Sequence, residues 1–354
     1  MSSINRILSL DIMRGITIVL MILTSYPGKY GFAYQQLELS FGCGWSLADM
    51  VVPTFLWLIG ISINISFSRR RLNGSTDIEL LTHTVYRGVL LFIIGVFLNR
   101  LNCIDMEAPV ECLLGVSFFG VFERIGLAYL IAAPIVIIFR TCGQIIALVT
   151  ILTSYQFIYL GSIQSQICEE SYRGLADFTT TFPGACFILS GTVIHRYVSA
   201  SISTSNFNMR RIRIISLGLM LITFSVLPFF AIDYQRLNIS FFFLSCWIMT
   251  CLFVAIDYLT KIVKPTVLVV PLTVLGSNPL VVYIIAALVW FVLHSVGLYY
   301  DGGEWIPAWE YIWLELSRLV GSLQLGSLII STLLLIIAAT SAWILGRKGI
   351  FIRI

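Results

Sequence analysis

The residues of this 354-residue chain that could do chemistry lie inside, or at the ends of, long apolar runs. Asp11 and Arg14 stand one helical turn apart within Ile7-Leu-Ser-Leu-Asp-Ile-Met-Arg-Gly-Ile-Thr-Ile-Val-Leu-Met-Ile-Leu23. A lone charge at such depth costs about 2.5–3.5 kcal/mol on insertion scales, so it is normally paired and turned away from lipid. Positions three apart share a helix face, so the two can pair and point together into a bundle. Two readings follow: an ion pair that locks two helices, or a site in which Arg14 faces an anion. Arg87 and Asn278 fall in the same halves of their own runs. A guanidinium offers a planar fork of donors suited to phosphate, so Arg14 and Arg87 suit a phosphorylated ligand. Snorkelling to a nearby interface accounts for Arg87 as well. Ser25, Asp49, Glu123 and Arg124 collect at the opposite ends, where a carboxylate can serve as a general base. Two polar clusters joined through one bundle suit transfer of a group across a membrane.

Histidine is scarce: His83, His195 and His294 are all there are. A histidine-built metal site is therefore not expected, and no metal is assigned. His83 and His195 fall near basic helix ends and read as structural, whereas His294 closes the ninth run at the opposite end and reads as structural or acid–base. The phosphate loop Gly-x-x-x-x-Gly-Lys-Ser/Thr, the metal helix His-Glu-x-x-His and the Gly-x-Ser-x-Gly elbow are absent from the sequence.

The elements that must position these groups are membrane helices. Hydrophobic residues make up 58% and charged residues 11% of the chain, against about 25% charged in soluble domains. Apolar runs of about 17–25 residues mark spans, and ten are read: 7–25, 47–66, 82–100, 122–140, 145–161, 180–198, 213–232, 240–259, 276–297 and 322–345. The stretches 113–119 and 266–272 are shorter and read as re-entrant or interfacial. The fold expected is an all-α integral membrane bundle, one polytopic domain over 1–354. No small-residue cleavage site follows the first run, which reads as a retained span.

Lysine and arginine orient the bundle. Arg69-Arg70-Arg71, Arg140, Arg196 with Arg210, Arg211 and Arg213, and Lys261 with Lys264 occupy alternate connections, and Arg347, Lys348 and Arg353 the tail. The other connections carry Asp105, Glu107, Glu111, Glu169, Glu170, Asp177, Asp233, Asp301, Glu304, Glu310 and Glu315. Both termini are expected in the cytoplasm. Cys43, Cys103, Cys112 and Cys168 fall on the outer side, which suggests Cys103–Cys112 and Cys43–Cys168 disulfides in an oxidising compartment. The longer connections, 26–46, 101–121, 162–179 and 298–321, are outer too, where acceptor-facing chemistry is expected. The net charge of +4 is dispersed along one membrane side and implies no nucleic acid. Asn238-Ile-Ser lies too close to the membrane to count as a glycosylation site.

These residues carry a family resemblance. Arg6-Ile-Leu-Ser-Leu-Asp-Ile-Met-Arg14-Gly15 resembles the opening span of the heparan-alpha-glucosaminide N-acetyltransferase family and its bacterial relatives. The likeness continues through Gly44-Trp-Ser-Leu-Ala-Asp49-Met-Val-Val-Pro53-Thr-Phe-Leu-Trp-Leu-Ile-Gly60 and Gly120-Val-Phe-Glu123-Arg124-Ile-Gly-Leu-Ala-Tyr129. It resumes at Leu275-Gly-Ser-Asn278-Pro-Leu-Val-Val-Tyr283 and Arg347-Lys-Gly-Ile-Phe-Ile-Arg353. The resemblance implies a membrane acyltransferase that moves acetyl, or a related acyl group, from cytoplasmic acetyl-CoA to a carbohydrate-like acceptor on the outer face. Asp11, Arg14, Asp49, Arg124 and Asn278 keep the family's residues. A histidine regarded as the family's active-site residue aligns with Leu39. The asparagine closing the family's first span aligns with Ser25, and the family's Asp-Pro-Glu-Gly before the sixth span is replaced by Tyr172-Arg-Gly-Leu-Ala-Asp177.

The donor, acetyl-CoA, is then assigned to Arg14, Arg87, Arg124 and Asn278, and the outer chemistry to Glu38, Ser25, Asp49 and His294. Glu38 is the nearest base to the lost histidine, and Ser25 can donate to the oxyanion. A covalent acetyl-histidine route is closed at position 39. A transporter on the same bundle, and a non-catalytic family member serving as an assembly partner, are the alternatives. The partners expected are the acyl donor, a glycan-like acceptor and the bilayer, with a homodimer also admitted. The membrane is a bacterial inner membrane or a eukaryotic equivalent.

Overall fold

Long apolar runs in a bilayer must satisfy every backbone N–H and C=O within the segment, and the helix does this. The computed structural model describes residues 7–40, 44–101, 120–164, 179–199, 208–234, 237–262, 269–300 and 304–347. The helices are α1 (Leu8–Ser25), α2 (Val51–Leu72), α3 (Asp77–Leu101), α4 (Val121–Ile138), α5 (Thr141–Gln164), α6 (Thr181–Val198), α7 (Met209–Val226), α8 (Ile239–Ile262), α9 (Val269–Ser277), α10 (Pro279–Ser295), α11 (Ala308–Val320) and α12 (Leu323–Arg347). Buried hydroxyls inside them turn back on their own helices: Thr17 donates to the Met13 carbonyl at 2.7 Å, Thr54 to Met50 at 2.6 Å and Thr250 to Cys246 at 2.7 Å. That geometry lets polar residues occupy a span without an unpaired donor.

The all-α membrane class is observed, but the count of ten spans is not. Among the described residues seven helices are long and apolar enough to cross a membrane, or eight if the bent pair α9–α10 counts as one span. The segments read as 180–198 and 213–232 are occupied by α6 and α7, and α7 ends at Val226; neither helix meets that standard. The reason for α6 is burial: most of its side chains are enclosed by protein, so lipid does not dictate their polarity. For α7 it is the arginines at positions 210, 211 and 213, which use up its first turns. The ninth run is not continuous either. The chain bends by 86° between α9 and α10, because Asn278 leaves helical geometry and Pro279 restarts the helix at its first turn. For the transporter alternative, paired broken helices in corresponding halves would be expected; among the described residues one bent pair is present. The connection 298–321 also holds structure: an antiparallel hairpin of β1 (Gly297–Tyr300) and β2 (Glu304–Pro307), then α11.

The core centres on α6, packed against α2, α4 and α5. Glycines set the closest crossings. A Cβ on Gly60 would lie 2.0 Å from the Ile188 carbonyl oxygen, and one on Gly191 would lie 2.2 Å from that of Trp57. In a membrane, where no hydrophobic force drives helices together, such backbone approach supplies the packing. Cys43, Cys103, Cys112 and Cys168, the expected disulfide partners, lie outside the described residues, as does Tyr172–Asp177.

Candidate active site between two cavities

Two cavities follow one another along the same helices. The first, about 520 Å³, is lined by Arg14 and Ile18 of α1, Phe55, Ile59, Ser62 and Ser66 of α2, and Arg87 and Leu91 of α3. The second, about 460 Å³, continues on α1 with Met21, Thr24 and Ser25, on α2 with Val51 and Val52, and on α3 with Gly95, Leu98 and Asn99. Phe122 of α4 lines both. By helical rise, Arg14 and Ser25 are separated by about 16 Å along α1.

The first cavity is basic. Arg14, Arg70, His83 and Arg87 line it, and among the described residues no Asp or Glu does. Arg14 is oriented from two sides: its Nη1 donates to Asp11 Oδ1 at 3.2 Å and its Nη2 hydrogen-bonds to the Ser62 hydroxyl. The Arg14 side chain is still 25% exposed, so the ion pair does not close it off. Arg70 Nη2 lies 2.8 Å from His83 Nε2. The Arg87 guanidinium sits over the Tyr129 ring, 5.7 Å from its centroid, and the buried Tyr129 hydroxyl has no hydrogen-bond partner among the described residues. Ser277 and Pro279 place the start of α10 on the wall, where unpaired N–H groups favour negative charge. The set suits a polyanion such as a nucleotide phosphate.

The second cavity is aromatic. Tyr26, Tyr30, Phe122, Tyr234, Tyr283 and Trp290 line it beside Ser25, Glu38 and Leu39. Burial pushes the Tyr234 phenol up to about 12, so it presents a neutral hydroxyl. Glu38 accepts the Gly31 N–H at 2.9 Å and the Ala33 N–H at 3.0 Å, which folds the loop over the cavity. The same loop is pinned from α11 and α12. Trp309 Nε1 donates to the Pro27 carbonyl at 2.9 Å, the Gly28 N–H to Ser327 at 2.9 Å, Ser331 to the Tyr26 carbonyl at 2.7 Å, and Lys29 pairs with Glu310 at 2.6 Å.

Of the residues singled out from sequence, Arg14 and Arg87 share the basic cavity, and Ser25 and Glu38 share the aromatic one. The others line neither. Arg124 is on α4 near Tyr234 and Glu123, at the aromatic end, which separates it from Arg14 and Arg87. Asn278 is buried at the bend, its Oδ1 without a hydrogen-bond partner among the described residues. His294 stacks on Trp290 at 4.6 Å and 16°, its Nδ1 buried and without a hydrogen-bond partner among the described residues. Asp49 is fully buried and accepts from Ser40 N at 3.2 Å, Ser40 Oγ at 2.6 Å and Ser46 N at 2.7 Å. Such a carboxylate organises the loop ahead of α2. Asp49→Ala is expected to cost about 2–4 kcal/mol by stranding those donors, read as a lower midpoint in denaturant. Retained stability with lost turnover would instead make Asp49 part of the chemistry. Tyr26, Tyr129 and Tyr283 were missed by sequence reasoning. Tyr129 and Tyr283 close two of the quoted motifs and Tyr26 follows Ser25, but tyrosines in apolar runs give no signal separating packing from function. Among the described residues no three His, Cys, Asp or Glu cluster to hold a metal ion.

The model of the family described as heparan-alpha-glucosaminide N-acetyltransferase, catalytic, matches residues 6–233. The heparan-alpha-glucosaminide N-acetyltransferase of Mus musculus is 32% identical over 137 residues, 37% of this chain and 19% of that protein. The Homo sapiens protein of the same name is 28% identical over 139 residues, 38% of this chain and 19% of that protein. The matched part of the chain thus spans about a fifth of the length of these curated relatives.

Proposed function

Because the chain belongs to the heparan-alpha-glucosaminide N-acetyltransferase catalytic family, we propose that it transfers an acetyl group from acetyl-CoA to a carbohydrate-like acceptor across the membrane. The observation that carries this reading is the pair of cavities meeting at Phe122, cationic at one end and aromatic at the other. The phosphates of the donor lie with Arg14, Arg70 and Arg87, and the pantetheine arm extends past Phe122 to put the thioester among Tyr26, Tyr283 and Ser25. The distance along α1 is comparable with that arm when extended. An amine or hydroxyl of the acceptor attacks the thioester carbonyl, the C–S bond breaks, and the acetyl group passes directly to the acceptor. Leu39 in the aromatic cavity, with no proton to exchange, supports direct transfer over a covalent histidine intermediate.

The basic cavity faces the cytoplasm in this reading, because the arginine-rich connections retain that side. Its test is sided labelling, after the eight native cysteines are replaced by serine or alanine. An impermeant thiol reagent is expected to reach a cysteine introduced at Glu304 in sealed cells and to miss one at Asn73; the reverse pattern overturns the orientation. The function itself is tested by titrating purified protein with acetyl-CoA, then detecting acetylated amino sugars by mass spectrometry. Binding with turnover supports the enzyme. Binding without acetylated product favours a non-catalytic member, and no binding favours a carrier.

A further inference from the structure

The junction of the two cavities is built from hydroxyls. The Tyr283 ring meets Phe122 edge-on with centroids 5.0 Å apart, so it stands beside the side chain that lines both cavities. Tyr26 packs 5.8 Å from Tyr283 and 5.8 Å from Trp290. The Ser25 and Tyr26 hydroxyls share the cavity wall with Tyr283 and lie within interaction range of its hydroxyl. Donation from those two to the Tyr283 oxygen would leave its own proton for a third partner in the cavity. Hydroxyls chained in this way polarise one another, which strengthens the terminal donor. The backbone on either side is fixed, since Ser331 holds the Tyr26 carbonyl at 2.7 Å and Tyr30 donates to the Ser25 carbonyl at 3.2 Å. The other groups at this end are differently placed. Asp49 and His294 line no part of the cavity, Leu39 carries no proton, and the Glu38 carboxylate is turned to the Gly31 and Ala33 amides.

We infer that Tyr283 and Tyr26 are catalytic residues of the acyl transfer: Tyr283 donates to the oxyanion, and the hydroxyl pair relays the acceptor's proton. Ser25 is the positioning residue for Tyr283. This rests on the acyl-transfer reading above. In the step, the acceptor nitrogen forms the new C–N bond and the thioester oxygen gains the charge, held by the Tyr283 O–H. On collapse the C–S bond breaks. The proton lost by the acceptor enters the hydroxyl pair as the pair delivers its own to the departing sulfur, leaving amide, CoA thiol and both tyrosines as they began. Such a relay needs neutral phenols, and burial beside Tyr283 raises the Tyr26 phenol well above its ordinary value. It needs no resting base, so the loss of histidine at position 39 does not stop it.

The test uses the purified full chain with acetyl-CoA and glucosamine, following thiol release, with donor affinity measured separately by calorimetry. Tyr283→Phe keeps the ring and loses the oxygen, so kcat should fall about 100-fold while the acetyl-CoA Kd stays within twofold. Tyr26→Phe should fall about 10-fold, and the double variant should be no slower than Tyr283→Phe, as expected for groups acting as a unit. Ser25→Ala should lower kcat and Ser25→Thr, which restores a hydroxyl, should recover it. Turnover by Tyr283→Phe within threefold of the parent overturns the inference and leaves acyl transfer standing. So does a loss of acetyl-CoA affinity that matches the loss of turnover, because the tyrosine would then be packing. A parent that binds acetyl-CoA and releases no thiol with amino sugars overturns acyl transfer itself, and the relay with it.

Discussion

Arg14→Ala is expected to weaken acetyl-CoA binding by about 100-fold or more. A hydrogen bond to a charged group contributes roughly 1.5–3 kcal/mol, and a guanidinium fork on phosphate makes two, so a loss near 3 kcal/mol is the natural scale. The geometry supports a ligand role because the Asp11 and Ser62 contacts leave a quarter of the side chain open to a cavity that no acidic side chain lines among the described residues. Arg14→Lys keeps the charge but loses the planar fork, so a smaller loss, about tenfold, is expected. Removing Arg14 also takes a counter-charge from Asp11 inside the bundle, which lowers stability for a reason unrelated to binding. The double variant Asp11→Asn/Arg14→Ala separates the two effects. It should fold better than Arg14→Ala and still fail to bind. Titration of each variant with acetyl-CoA, beside a denaturation midpoint, checks both. If the double variant binds like the parent, Arg14 is a helix lock and the phosphates lie elsewhere.

The membrane class was legible because a run of twenty apolar residues has few alternatives. The pairing of Asp11 with Arg14 was legible for a similar reason, since a buried charge needs a partner and position i+3 supplies it. What composition hid was the status of α6. Its Gly184, Ser190, Gly191 and Thr192 read as one more span of modest polarity, whereas they are the packing face of an enclosed helix. The break at Asn278 was signalled by Pro279, yet one proline in an apolar run can equally be tolerated in a kinked span. The site was half legible. Arg14 and Arg87 reveal themselves by being charged in the wrong medium. Tyr26 and Tyr283 do not, because an aromatic side chain in a membrane helix needs no explanation until its hydroxyl is seen to have company.

The largest effect expected from the smallest change is at Gly276. A Cβ there would lie 1.9 Å from the Asp11 carbonyl oxygen, and one on Gly15 across the crossing would lie 2.1 Å from that of Leu272. Both obstacles are backbone atoms, so no rotamer change relieves them and α9 must move away from α1. That movement reaches the site at once. Gly276, Ser277, Pro279 and Leu280 form one wall of the basic cavity, and Arg14 stands on the helix that α9 would leave. Overpacking ordinarily costs about 1–3 kcal/mol and occasionally more; with two backbones in contact the upper end is expected for Gly276→Ala. Gly218 of α7 supplies the comparison, because a Cβ on it would meet nothing within 4 Å. Gly218→Ala should be neutral or stabilising by about 0.5–1 kcal/mol, since alanine is the better helix former. Denaturation midpoints of the two variants and their acetyl-CoA affinities give the answer together. Gly276→Ala should lose both stability and binding while Gly218→Ala loses neither. If the two behave alike, the crossing of α1 and α9 has slack, and the wall it builds is not what shapes the phosphate end of the cavity.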